Sequence, residues 1–252
     1  MQLPLTHDPW LSDVLKKETW RVELAQAFAR ELKDNIAFHD AFRKRQEGRI
    51  FMYCKVPVTQ LSLVHLLEDL DFHLLDTNVT FGKPICVRET EGKAAVREIK
   101  MGEGWNIRFA NPGDEECTMT LAGRCFRFSR FHLDPAIPRE RADMVKARWA
   151  GNYFRGKRGD FMVLALKDGI IAGFLQLLRQ ERTLIIDLIG VHENYRRGGV
   201  GGILIEYAEA QCGDFDTIRV GTQIANASSL RFYEKLGFRV EESSYVFHFH
   251  GK

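Results

Sequence analysis

The 252-residue chain reads as an α/β protein, and three features predict it. An apolar run from Leu184 to Val191 stops at His192, passes through a glycine-rich turn (Arg196 to Gly202), and enters an amphipathic segment, which is strand, turn, helix. Three runs rich in apolar residues, Phe161–Lys167, Ile170–Arg179 and Thr183–Val191, follow one another closely, with Asp168-Gly169 as the hairpin signal between the first two. Helical and strand-like patterns alternate before and after this block, as a mixed sheet covered by helices requires.

The elements follow in order. A helical region spans about Val22 to Arg45, with Leu24, Phe28, Leu32, Ile36 and Phe42 near one face. A strand, Ile50–Val56, then a helix, Leu61–Leu70, and an alternating strand, His73–Lys83, follow, and Pro84 ends the last. Residues 85–104 are polar and glycine-bearing and read as a connection, so the chain divides into an N-terminal α/β unit (1–95) and a larger unit (96–252). The larger unit opens with strand Trp105–Ala110, an Asn-Pro-Gly loop, and helices near Glu115–Gly123 and Arg139–Phe154. After the three strands and the turn come a helix to Gln211, a strand Thr217–Thr222, a helix over Ser228–Leu236 closed by Gly237, and two last strands.

Composition narrows the function. Hydrophobic content of 45% and charged content of 28% are ordinary for a folded domain, and a net charge of +2 gives no ground for nucleic-acid binding. No apolar run approaches the roughly 20 residues of a bilayer span, and no leader segment is evident at the start. The five cysteines have no metal or disulfide spacing, which points to reduced thiols in the cytoplasm. No metal site is expected: His248-x-His250 alternates like an edge strand and lacks carboxylate or cysteine neighbours in sequence. Charge is uneven, however. Ten Lys/Arg stand against three acids between Arg124 and Arg158, which suits either an anionic ligand or a solvated basic face.

The turn Arg196-x-x-Gly199-x-Gly201, with Gly198 and Gly202, lets backbone approach a ligand, and the first N–H groups of the following helix lack partners. Such a turn cradles phosphate, although similar turns can merely reverse the chain. It is neither the nucleotide-triphosphatase loop, lacking Gly-Lys-Ser/Thr, nor the dinucleotide loop. Together with Asn226, Tyr233, Gly237 and Phe238 downstream, it resembles the GNAT N-acetyltransferase superfamily over roughly residues 105–249.

The resemblance implies the GNAT acyl-CoA N-acyltransferase fold and acetyl-CoA as co-substrate. It implies that Ile189, Gly190, Val191, Arg196, Arg197, Gly198, Gly199, Val200, Gly201, Gly202, Asn226 and Tyr233 hold that co-substrate. It also gives Tyr233 the role of protonating the departing thiolate, unless the ring is only core, and Asn226 that of binding the pantetheine arm, capping the helix, or both. Asp187, on the strand before the turn, and Asp76 are the alternative bases. A narrower resemblance, to bacterial TDP-fucosamine acetyltransferases, rests on Ser129-Arg130-Phe131, Trp149 and Asn152. It implies a nucleotide-linked amino sugar as acceptor, with Arg130, Trp149, Asn152 and Arg155 as contacts and Lys157 and Arg158 as further candidates. A peptide, antibiotic or polyamine acceptor and a non-catalytic acyl-CoA-binding module remain open on sequence, and a homodimer is compatible with it.

Overall fold

The pairing of the last strand organises the molecule. In the computed structural model, which describes residues 4–24, 36–85 and 102–251, all ten strands join one sheet in the order β1-β2-β3-β10-β4-β9-β8-β7-β6-β5. The strands are β1 Leu5–His7, β2 Glu18–Val22, β3 Ile50–Pro57, β4 His73–Pro84, β5 Trp105–Phe109, β6 Phe161–Lys167, β7 Ile170–Gln180, β8 Thr183–Val191, β9 Thr217–Gln223 and β10 Arg239–His250. Thus β10 lies between β3 and β4, and strands from both halves of the chain share one ladder. The expected boundary at residues 95/96 falls outside the described residues.

Seven helices are described: α1 Pro9–Leu15, α2 Ile36–Arg45, α3 Leu61–Asp69, α4 Glu115–Cys125, α5 Arg139–Phe154, α6 Val200–Gln211 and α7 Ala227–Lys235. On one face of the sheet, Val200, Leu204, Ile205 and Ala208 of α6 pack with Val163, Leu175, Leu184 and Ile186. On the other, Leu121, Ala122 and Ala150 of α4 and α5 meet Met162, Leu164, Phe174 and Leu188. A separate cluster joins α1 to α5, with Leu11 and Val14 against Phe131, Ala142 and Val145. This contact holds α1 at the wall of the larger cavity described below. No helix among the described residues is long and apolar enough to cross a membrane.

Most expected elements are present, with corrections at both ends. Val22 closes strand β2 and is not helical, because Glu18–Val22 pairs in parallel with β3; helix α2 is described over Ile36–Arg45, and residues 25–35 are outside the described set. The two last strands are one: register shifts at Val240/Glu242 and Val246/Phe247 let β10 bend and keep pairing through His248 with β4. The His248-x-His250 pair is not strand surface. His248 is buried, and Asp134 Oδ2 lies 2.6 Å from its Nδ1 and 2.8 Å from His250 Nε2, so a loop distant in sequence supplies the carboxylate. The Asp168-Gly169 hairpin forms as expected, with φ of 49° and 82°. Gly237, at φ 87°, ends α7, with Phe238 N–H bonding back to Tyr233 C=O.

Candidate active site

The glycine turn links β8 to α6. A short 3-10 turn (Glu193–Tyr195) leads to Arg197 at φ 65° and Gly199 at φ 84°, and α6 starts at Val200. The first helical bond is Ile203 N–H to Gly199 C=O, so the N–H groups of Val200, Gly201 and Gly202 have no partner among the described residues. The glycines serve different ends. Gly199 supplies a left-handed conformation with open space around it, and a Cβ on Gly198 or Gly202 would meet only ordinary contacts. At Gly201 a Cβ would lie 3.0 Å from Phe232 Cζ, and at Gly190 it would lie 2.6 Å from Phe174 Cε1. Packing therefore excludes a side chain at Gly190, whereas at Gly201 the tight contact calls for the Phe232 ring to give by a few tenths of an ångström. Arg196 donates to Val191 C=O (3.0 Å) and Cys125 C=O (3.3 Å) and ties the turn to the end of β8, whereas Arg197 is exposed and unpaired within the described residues.

A bulge opens the space beside this turn. Strands β8 and β9 pair in parallel from Thr183/Thr217 to Ile186/Val220 and then part. At the same point Leu177 pairs with Ile186 while Gln176 pairs with Leu188, which leaves Asp187 as the extra residue of β8. The bulge bends Leu188–Val191 away from β9. The resulting cleft, of about 490 Å³, is lined by Ile189, Gly190, Val191 and Arg196 on one side and by Asn226, Ser229 and Tyr233 on the other.

Asp187 is closely held. Trp149 Nε1 (2.8 Å), Gln176 Nε2 (3.1 Å) and Arg158 Nε (2.8 Å) all donate to its Oδ2, and Arg158 Nη2 reaches Oδ1 at 2.6 Å. Its side chain is only 6% exposed. Asp76 sits differently, on β4 beside the loop that leads to Asn226. It receives backbone bonds from Thr77 and Ala225, its Oδ2 has no partner, and burial raises its pKa.

Asn226 caps α7, its Oδ1 accepting from Ser229 N–H (3.3 Å) and Ser228 Oγ (2.8 Å). Tyr233 is both core and cleft wall. Its ring packs 5.9 Å from Phe81 and 5.5 Å from Phe238, centroid to centroid, while the residue also lines the cleft. Burial pushes its phenol well above the ordinary value, so it is protonated at neutral pH.

A second cavity, of about 960 Å³, adjoins the cleft. The two share Lys55, Arg130, Phe131, Trp149 and Arg158 as lining. Asn152 and Lys157 line the larger cavity, and α1 contributes Trp10 and Leu11. Arg155 is not brought to either space: it turns back toward α4 and pairs with Glu115 at 3.0 Å. Lys55, Lys146, Tyr53 and Gln176 belong to the site and escaped sequence reasoning. Lys146 had a visible signal, since it stands three residues before Trp149 on an otherwise apolar helix face; the others sit on strands whose neighbours are set by long-range pairing.

Residues 121–238 match the Acetyltransferase (GNAT) family. The chain is 26% identical over 245 residues to the spore coat polysaccharide biosynthesis protein SpsD of Bacillus subtilis, covering 95% of this chain and 80% of that protein. It is 31% identical over 93 residues to the probable N-acetyltransferase san of Drosophila melanogaster, 34% of this chain and 50% of that one. Among solved structures, a GCN5-related N-acetyltransferase from Sphaerobacter thermophilus superposes with a TM-score of 0.62 at 14% identity, over 98% of this chain and 76% of that one. A Staphylococcus epidermidis protein of unknown function superposes with a TM-score of 0.65 at 14% identity, covering 100% and 93% of the two chains. These likenesses establish the GNAT fold.

Proposed function

Given a chain that carries a GNAT domain and is an acetyl-CoA-dependent N-acetyltransferase, we propose that its acceptor is the amino group of a nucleotide-linked amino sugar of the dTDP-4-amino-4,6-dideoxyhexose type. The observation that carries this reading is the cavity beside the cleft. It is lined by Arg21, Lys55, Arg130, Lys157 and Arg158 against only Asp8 and Glu23; Arg21 pairs with Glu23 and Arg158 with Asp187, which leaves Lys55, Arg130 and Lys157 for a ligand. A pyrophosphate suits such a wall, and the Trp149 ring holds the cations of Lys146 and Arg158 beside it. The spore coat polysaccharide relative fits the same substrate class.

In this reading the unpaired N–H groups at Val200–Gly202 take the pyrophosphate of acetyl-CoA, and the pantetheine lies between the parted strands. The neutral amine attacks the thioester carbonyl. A backbone N–H of the free edge Leu188–Val191 stabilises the oxyanion, and Tyr233 returns a proton to the thiolate as the C–S bond breaks. Asp187, bound by Trp149, Gln176 and Arg158, acts by positioning the first and last of these at the cavity wall. Asp76 lines neither cavity and its unpartnered oxygen is closed to solvent, so the amine's proton leaves to water.

The test is a screen of dTDP- and UDP-amino sugars beside peptides, aminoglycosides and polyamines, with release of free thiol as readout. A nucleotide amino sugar should give the highest kcat/KM. A cationic peptide or polyamine as best acceptor overturns the sugar reading and leaves the acetyltransfer chemistry in place.

A further inference from the structure

Three cations lie where the cleft and the larger cavity join, Arg130 and Lys55 lining both spaces and Lys146 the cleft, and none makes an ion pair among the described residues, although Asp8 and Asp134 act on Arg130, Glu242 on Lys55 and Asp187 on Lys146 from farther away. Lys146 on α5 is 8% exposed, its Nζ lies 4.7 Å from the ring centres of both Phe126 and Trp149, and it makes no ion pair among the described residues. The Arg130 guanidinium stacks 3.9 Å over Tyr53 and 4.5 Å over Phe131, and its Nη1 is closed to solvent without an acceptor. Lys55 donates to the neutral amide of Asn78 at 2.8 Å. The one carboxylate that lines the cleft, Asp187, is committed to Arg158.

An enclosed charge without a partner is costly, and a cluster of like charges more so. Two largely enclosed cations, Arg130 and Lys146, and an exposed one, Lys55, line one space without a salt-bridge partner, an arrangement that an anion completes. We propose that this junction is an oxyanion subsite, in which Arg130, Lys55 and Lys146 together bind a carboxylate or phosphate group of the acceptor. The proposal rests on the reading that the acceptor enters through the larger cavity. It is separate from the co-substrate's phosphates, which have their own donors at the start of α6.

The titration of the lysines agrees with this arrangement. Burial, and then the neighbouring Arg130, Lys55 and Arg158, push Lys146 down to about 7 against the pull of Asp187. Burial and Arg130 push Lys55 down to about 8 against the pull of Glu242, although it still reaches solvent. A bound oxyanion favours the charged forms, so binding just above neutral pH draws protons from solution.

The experiment uses the full chain with saturating CoA, which occupies the glycine turn without allowing turnover. Inorganic phosphate, acetate and chloride are titrated at constant ionic strength, with melting temperature and calorimetry in two buffers of different ionisation enthalpy as readouts. Phosphate or acetate should raise the melting temperature beyond chloride and bind with proton uptake, and the stronger of the two identifies the acceptor's anionic group. Lys146→Met should melt higher than wild type in chloride alone, bind the oxyanion roughly tenfold or more weakly, and lose the proton uptake. Lys55→Gln provides a second variant that leaves the Arg130 stack intact and should show the same loss of affinity. Equal response to chloride and oxyanions in wild type, or undiminished phosphate and acetate affinity in both variants, overturns the subsite. Because neither acceptor nor turnover is involved, that failure is distinguishable from failure of the nucleotide-sugar reading.

Discussion

Tyr233 joins two properties that usually conflict: a ring fixed in the core and a hydroxyl at the edge of a ligand cleft. Phe81, Phe232 and Phe238 hold the ring, and burial keeps the phenol protonated, the state a general acid needs. Tyr233→Phe keeps every ring contact and removes only the donor. Its kcat should fall by about 10²–10⁴ while acetyl-CoA affinity stays within a few fold, read by steady-state kinetics and calorimetry. Unchanged kcat would reduce Tyr233 to a packing residue. At this scale the sequence was informative where chemistry is local: the glycine turn, Asn226 and Tyr233 stand at a fixed spacing along one stretch of chain. It was uninformative where partners come from elsewhere. Asp187 was visible as an acid on a strand, but its donors come from α5, β7 and the segment after α5. Likewise, the neighbour that crowds Gly201 is Phe232, which only tertiary packing brings near.

Among the elements, β8 and β10 do most to shape the site, and both depart from regular ladders. The bulge at Asp187 parts β8 from β9, and hydrophobic patterning cannot show it, since it shifts register without breaking the apolar run. The bends in β10 gave the appearance of two strands for the same reason. The end of β10 is sealed by Asp134, which accepts from Ala136 N–H as well as facing His248 and His250. Burial outweighs the Asp134 attraction and lowers His248 to about 4 from an ordinary value of 6.5. Between those values the unfolded chain binds the proton and the folded chain does not, so stability rises with pH across this window and is lost as pH falls through it. Denaturant titrations from pH 7 to 4 should show a decline of up to about 1.4 kcal/mol per pH unit from this group. His248→Asn, which retains a donor toward Asp134, should flatten that decline. An equally steep decline in the variant would place the acid sensitivity elsewhere.

At the scale of the whole molecule, the sheet order has a consequence for how the catalytic half can exist. Strand β9, one wall of the parted strands, pairs with β8 only as far as Val220 but with β4 along its full length, from Thr217/Pro84 to Gln223/Asn78. Val79 and Phe81 of β4 enter the same core as Tyr233 and Phe238. Strand β10 takes β3 on one side and β4 on the other. A fragment beginning at residue 102 would retain the glycine turn and Tyr233 yet expose both edges of β10 and the outer edge of β9, and lose Phe81, one of the three aromatic partners of Tyr233. Loss of a buried Phe alone costs about 3–5 kcal/mol, a large share of a typical domain's stability of about 5–15 kcal/mol. The fragment 102–252 should therefore fail to give a native circular dichroism spectrum or to bind acetyl-CoA, and should aggregate through its unpaired strands. Co-expression with residues 1–101 should restore binding, because β3 and β4 return as ladder partners and Phe81 returns to the Tyr233 ring. A monomeric fragment with acetyl-CoA affinity within a few fold of the full chain would show that the β4 wall is dispensable, and that the co-substrate site is built by β8, α6 and α7 alone.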